Sequence, residues 1–105
     1  MQEYLFKKEV RPGVVVHTIA SGANLMMCKI TLAKGAALPE HTHENEQASF
    51  VVSGRMRFCV NGEERVVSEG MGTMFASAEP HSALAEADSV LVEVFSPPRE
   101  DYKGE

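Results

Sequence analysis

Short β-branched runs separated by turn residues constrain the fold of this chain more than any other feature. Turn signals built on Gly, Asn or Pro recur about every 8–12 residues, which is typical of all-β proteins. No segment carries a helical apolar stripe longer than about two turns. The predicted strands cover residues 14–19, 24–32, 47–52, 55–60, 64–67, 73–76, 82–85 and 89–95.

The pair Asn61-Gly62 is the strongest hairpin signal in the chain. A two-residue type I′ turn needs positive φ at both central residues, and this dipeptide meets that need. Many short strands in about 100 residues must close or stack in order to hide their edges. We therefore predict an all-β fold, a small antiparallel jelly-roll β-barrel, whose mouth is a natural ligand site.

Composition narrows the classes of partner. The 105 residues suit one domain, and the net charge of -5 without a basic patch argues against nucleic acid. The apolar runs are too short for a membrane span, and residues 1–8 lack the apolar core of a signal peptide. We expect a cytoplasmic protein with no membrane partner. Cys28 and Cys59 belong to no C-x-x-C pair and are expected to be free thiols.

A histidine pair points to specific chemistry. His41 and His43 are two residues apart and would share one face of an extended strand, and Gln47 keeps the same parity. His81 follows from a distant segment. These four residues could ligate a single metal ion and leave coordination positions open for water or substrate. Taken alone, the histidine pair is equally well explained as part of a polar strand or loop.

The spacing of these residues resembles the first sequence motif of the cupin family. That motif runs Gly, five residues, His-x-His, three or four residues, Glu, six residues, Gly. Gly35, His41, His43 and Gly54 stand at those spacings, and Gln47 takes the Glu position. The second cupin motif is matched more weakly, through Gly70 and His81, while its turn residues are replaced by Ala76, Ala78 and Ala85. The resemblance covers roughly residues 24–99.

The resemblance implies one divalent metal ion (Zn, Ni, Fe, Mn or Co) held by His41, His43, Gln47 and His81. Imidazole nitrogens and an amide oxygen suit such ions. Because all four ligands are uncharged, the ion would keep its full formal charge. It would polarise a bound oxygen strongly and favour an anionic small-molecule substrate.

The segment from Glu93 to Tyr102 resembles the tail of small cupins associated with pectin and alginate breakdown. Those proteins convert 4,5-unsaturated monouronates to linear keto-acids. The resemblance implies catalytic roles for Glu93, Phe95 and Arg99, although the family usually has Asp where this chain has Glu93. Two alternatives stay open: Glu93 on a solvated edge, and Arg99 in a salt bridge to Glu100, Asp101 or a strand carboxylate.

We therefore expect one cupin domain over residues 1–105, with a barrel core at about 24–96 and a polar tail at 97–105. The expected function is metal-dependent ring opening or isomerisation of an unsaturated uronate or related sugar acid. The alternatives are an Fe- or Ni-dependent dioxygenase and a non-catalytic, metal-bearing binding module. A homodimer is also expected, with the strand at 14–19 as the contact, because its three valines offer more apolar surface than one covered face requires.

Overall fold

The computed structural model describes residues 6–104, which form ten strands and one short 3-10 helix. The elements in chain order are β1 Phe6–Arg11, β2 Val14–Ser21, β3 Met26–Leu32, β4 Ala37–His41, β5 Glu46–Ser53, β6 Arg55–Val60, β7 Glu63–Ser68, β8 Gly72–Phe75, β9 His81–Ala85, β10 Ser89–Ser96 and the 3-10 helix Glu100–Tyr102. Within the same residues, no helix is long and apolar enough to cross a bilayer.

The strands form two antiparallel sheets that enclose one core. The larger sheet has the order β1-β2-β3-β10-β5-β8, and the smaller has the order β4-β9-β6-β7. Side chains of both inner faces fill the space between them, and the largest fully buried ones are Phe75, Phe95, Met26, Leu32 and Met56. The predicted antiparallel β architecture is confirmed.

The hairpin at Asn61-Gly62 is also confirmed. Asn61 has a φ of 51° and Gly62 a φ of 80°, as a type I′ turn requires. The turn joins β6 to β7 and sets Val60 opposite Glu63. Cys28 and Cys59 are free thiols, as expected; Cys28 is buried and Cys59 half-buried.

Gly54 shows why the motif needs a glycine where the chain passes from the larger sheet to the smaller one. Its φ is 97°, and a Cβ at this position would collide with the backbone of Asp88 and Ser89. Gly35 also has a positive φ, 87°, but a Cβ there would meet nothing within 4 Å. Gly54 is therefore required both by its positive φ and by the close approach of the neighbouring backbone. Gly35 is required only by its positive φ.

Two strands were not predicted. The first, β1, is polar at most positions and lies at the edge of the larger sheet, where one apolar face suffices. The second, β4, contains Pro39 and lies at the edge of the smaller sheet. A proline has no amide hydrogen, and an edge strand tolerates this because its outward-facing amides need no partner strand. The strand expected to mediate dimerisation, β2, lies between β1 and β3, so both of its backbone edges are paired. The homodimer stays a prediction.

Candidate metal centre

Three histidines converge where the smaller sheet meets the barrel interior. His41 ends β4 and lies directly opposite His81, the first residue of β9. His43 lies in residues 42–45, between β4 and β5, so it does not extend the strand of His41 as expected. One ring nitrogen of each histidine lies within 4.8 Å of the others. The turn after His41, and not strand parity, therefore brings the pair together.

Backbone carbonyls fix the orientation of all three rings. Each Nδ1 lies within hydrogen-bond distance of a carbonyl oxygen two residues away, at 2.9 Å from Pro39, 3.0 Å from Asn45 and 2.8 Å from Glu79. A carbonyl only accepts, so each neutral ring carries its proton on Nδ1 and leaves the lone pair on Nε2. Burial lowers the pKa of both His43 and His81, which favours these neutral forms.

The fourth expected ligand lies beside this cluster. The Oε1 atom of Gln47 is 3.1 Å from Nε2 of His43. With the His43 proton on Nδ1, both of these atoms present lone pairs, and a cation between them would satisfy both. Two ligand atoms at about 2.1 Å from one ion and at right angles are about 3.0 Å apart, which matches this separation.

His81 gives a second sign that the residues fit a metal. Its Nε2 atom is buried and has no hydrogen-bond partner among residues 6–104. An orphaned buried nitrogen is costly, whereas a nitrogen that ligates an ion is satisfied. The donor set of three imidazoles and one amide oxygen therefore suits a divalent transition metal.

Glu93 contacts Gln47 on the side away from the histidines. The Nε2 of Gln47 donates to Ser49 Oγ at 2.9 Å and to Glu93 Oε2 at 3.1 Å. The hydroxyl of Ser49 donates to the same Glu93 oxygen at 2.7 Å. These bonds fix the amide so that Oε1 faces His43. Burial raises the pKa of Glu93, and the two hydrogen bonds oppose that effect.

Ser49 was not anticipated as a site residue. It lies two positions after Gln47 on β5 and therefore on the same inward face, opposite Glu93 on β10. Ser49 is buried and faces the half-buried Glu93, and its parity with Gln47 on one strand is the signal that the sequence offered.

Phe95 and Arg99 lie on the far side of the cluster. The buried ring of Phe95 meets the ring of His43 edge-on, with centroids 6.0 Å apart. The Arg99 guanidinium lies 5.4 Å from the Phe95 ring centroid and 4.3 Å from that of Tyr102. Its Nε and Nη2 bond both carboxylate oxygens of Asp101, at 3.1 and 2.7 Å. Asp101 is among the salt-bridge partners that the sequence left open for Arg99.

These side chains surround a cavity of about 500 Å³. Of the expected site residues, five line it: His41, Gln47, His81, Glu93 and Arg99. His43 and Phe95 touch that group through the contacts described above. The structure thus brings all seven expected residues into one region, which holds four neutral donors, one carboxylate, one guanidinium and one apolar ring.

Comparisons with known proteins agree with this fold. The family model of the cupin domain (Cupin_2) matches residues 28–96. The pectin degradation protein KdgF of Dickeya dadantii (strain 3937) is 32% identical over 97 residues, which cover 90% of this chain and 88% of that protein.

Two solved structures have the same architecture. The structure of KdgF from Halomonas sp. has a TM-score of 0.84 at 32% identity and covers 90% of both chains. An RmlC-like cupin from Shewanella frigidimarina NCIMB 400 has a TM-score of 0.86 at 29% identity, covering 96% of this chain and 88% of its own.

Proposed function

This chain belongs to the cupin family, and from that premise we propose that it is a metal-dependent enzyme that converts a 4,5-unsaturated uronate to a linear keto-acid. The observation that carries the proposal is the contact between Gln47, which faces the histidines, and Glu93, which faces the cavity. The relatives that bear the name KdgF support a substrate derived from pectin.

In this proposal His41, His43, Gln47 and His81 hold one divalent ion, which when bound supplies Lewis acidity toward a substrate oxygen. The role of the surrounding protein is to orient these four ligands. Backbone carbonyls hold the imidazoles in one tautomer, and Ser49 and Glu93 hold the amide of Gln47 in one rotamer. The ligand shell is thus organised before any substrate enters.

Glu93 is the proposed proton carrier. Its Oε2 accepts hydrogen bonds from Ser49 and Gln47, while no hydrogen bond within residues 6–104 involves Oε1. Ring opening removes the proton of the anomeric hydroxyl, breaks the bond between that carbon and the ring oxygen, and leaves the former ring oxygen as an enolate. Delivery of a proton to C4 gives the ketone, so the reaction is an isomerisation with no net redox change. Glu93 accepts the first proton and donates the second.

Arg99 and Phe95 are proposed to position the substrate. Asp101 occupies the Nε and Nη2 side of the Arg99 guanidinium, so the Nη1 edge stays available for the substrate carboxylate. The rings of Phe95 and Tyr102 hold the guanidinium plane in place. Phe95 also forms an apolar wall between Arg99 and His43, which keeps water from the reacting carbons.

Turnover of an unsaturated monouronate tests the proposal. We expect the ultraviolet absorbance of the conjugated enol ether to fall with time while dissolved oxygen stays constant. Uptake of oxygen in the presence of Fe(II) would contradict the proposal and indicate that the protein is a dioxygenase. Binding of the uronate without any loss of absorbance would replace it with a non-catalytic binding module.

A further inference from the structure

The edge strand β1 forms one wall of the cavity that holds the histidines. Phe6, Lys8, Val10 and Arg11 all line it. Phe6 and Val10 also pack against the core, which fixes the position of the strand. Two cations are therefore held at the cavity by a strand to which the proposed reaction assigns no role.

The pairing of β1 with β2 accounts for the direction of both cations. Lys8 lies opposite Val16 and Arg11 lies opposite Val14, and both valines are buried on the inner face. Cross-strand partners share a face of the sheet, so Lys8 and Arg11 belong to the inner face as well. Simple alternation would put them on opposite faces. A β-bulge between Glu9 and Arg11 restores Arg11 to the inner one.

Neither cation has a counter-ion in the part of the chain that the structure describes. The side chains of Lys8 and Arg11 form no ion pair or hydrogen bond with any other residue from 6 to 104. Glu9, which lies between them in sequence, accepts a hydrogen bond from the Gly13 amide at 2.8 Å. The two charges are therefore uncompensated at the cavity, in a chain whose net charge is -5.

The other charged side chains of the cavity already have hydrogen-bond partners. Asp101 is bonded to Arg99 through two hydrogen bonds, and Glu93 accepts from Ser49 and Gln47. An entering anion can meet both the Nη1 edge of Arg99 and the cations of β1, because all three side chains line the same cavity. A ligand with acid groups at both ends would meet both.

We propose that Lys8 and Arg11 form a second anion-binding position and that the cavity accepts sugar acids with two separated carboxylates. This inference deepens the proposed function, on which it rests, because it concerns the ligand of the same cavity. One carboxylate binds near Arg99 and the other binds to the cations of β1.

Two probes that differ by one carboxylate test this directly. D-Galacturonate has one carboxylate, and galactarate has one at each end of the same six-carbon skeleton. Titration calorimetry at low ionic strength should show that the wild type prefers galactarate. In the double variant Lys8→Gln/Arg11→Gln the ratio of the two dissociation constants should fall about fivefold, the size of one partly exposed ion-pair contact. The fall should occur both in Ni²⁺-loaded and in chelator-treated protein.

Matched variants separate this position from general charge effects. Lys7→Gln/Lys34→Gln removes the same charge outside the cavity and should leave the ratio unchanged, and Lys8→Arg/Arg11→Lys should keep the preference. Equal affinities in the wild type, or a preference that survives in the double variant, would overturn the inference. So would a change in self-association alone, which would mean that Lys8 only protects a strand edge. If the wild type prefers galactarate but converts no unsaturated uronate, the anion position stands and the proposed reaction fails.

Discussion

Replacing Gln47 by glutamate places a second carboxylate against Glu93, at the point where an amide nitrogen now lies 3.1 Å from Glu93 Oε2. Two unit charges at that distance repel by about 5 kcal/mol at an effective dielectric constant of about 20. Protonating one ordinary glutamate at pH 7 costs only about 4 kcal/mol, because each pKa unit is worth about 1.4 kcal/mol. The pair should therefore take up a proton, and the free energy of unfolding should fall by about 4 kcal/mol.

Urea unfolding in the presence of a chelator measures this loss. Gln47→Met is the matched control, since it removes the hydrogen bonds without adding charge and should lose only about 1–2 kcal/mol. Saturating Ni²⁺ should restore most of the loss in Gln47→Glu, because an ion that binds only the folded state stabilises it. Equal stability of the two variants in chelator would refute the contact between Gln47 and Glu93 on which the site is built.

Three further predictions concern the proton carrier, a turn and a thiol. Glu93→Gln should keep its metal, measured by elemental analysis, but lose at least about 100-fold in kcat; unchanged kcat would remove Glu93 from the reaction. Gly54→Ala should lower the free energy of unfolding, measured in urea, by at least about 3 kcal/mol, and Gly35→Ala by about 1–2 kcal/mol. Both positions have an unfavourable φ, but only at Gly54 does the added Cβ collide with the backbone. Similar losses in the two variants would show that the collision relaxes. Burial raises the pKa of Cys28 to about 11, so at pH 8 iodoacetamide should modify Cys59 and spare Cys28 by mass spectrometry, and equal labelling would contradict the burial of Cys28.

Local chemistry made much of the fold predictable. The Asn61-Gly62 dipeptide by itself predicts a hairpin. Strands such as β6 alternate apolar and polar residues, as half-buried strands do. The two strands that were missed lie at sheet edges. There a single apolar face, or even a proline, is tolerated, so the sequence pattern is weak.

The site was predictable to the extent that it depends on side chains at fixed spacings. The three histidines and Gln47 come together as expected, but through a turn after His41 and not along one strand. The carbonyl partners of the rings were not predictable, because any residue offers a carbonyl. The pairing of Arg99 with Asp101 was only one of several open options, since a long flexible side chain can reach many acids.

Restoration of turnover by metal tests the account most directly. The protein is stripped with a chelator, and the loss of absorbance of an unsaturated monouronate is followed as a divalent ion is added in steps. The account predicts no turnover in the stripped protein and a linear recovery that ends at one ion per chain. Turnover that survives stripping, or that fails to return at full metal loading, would contradict it.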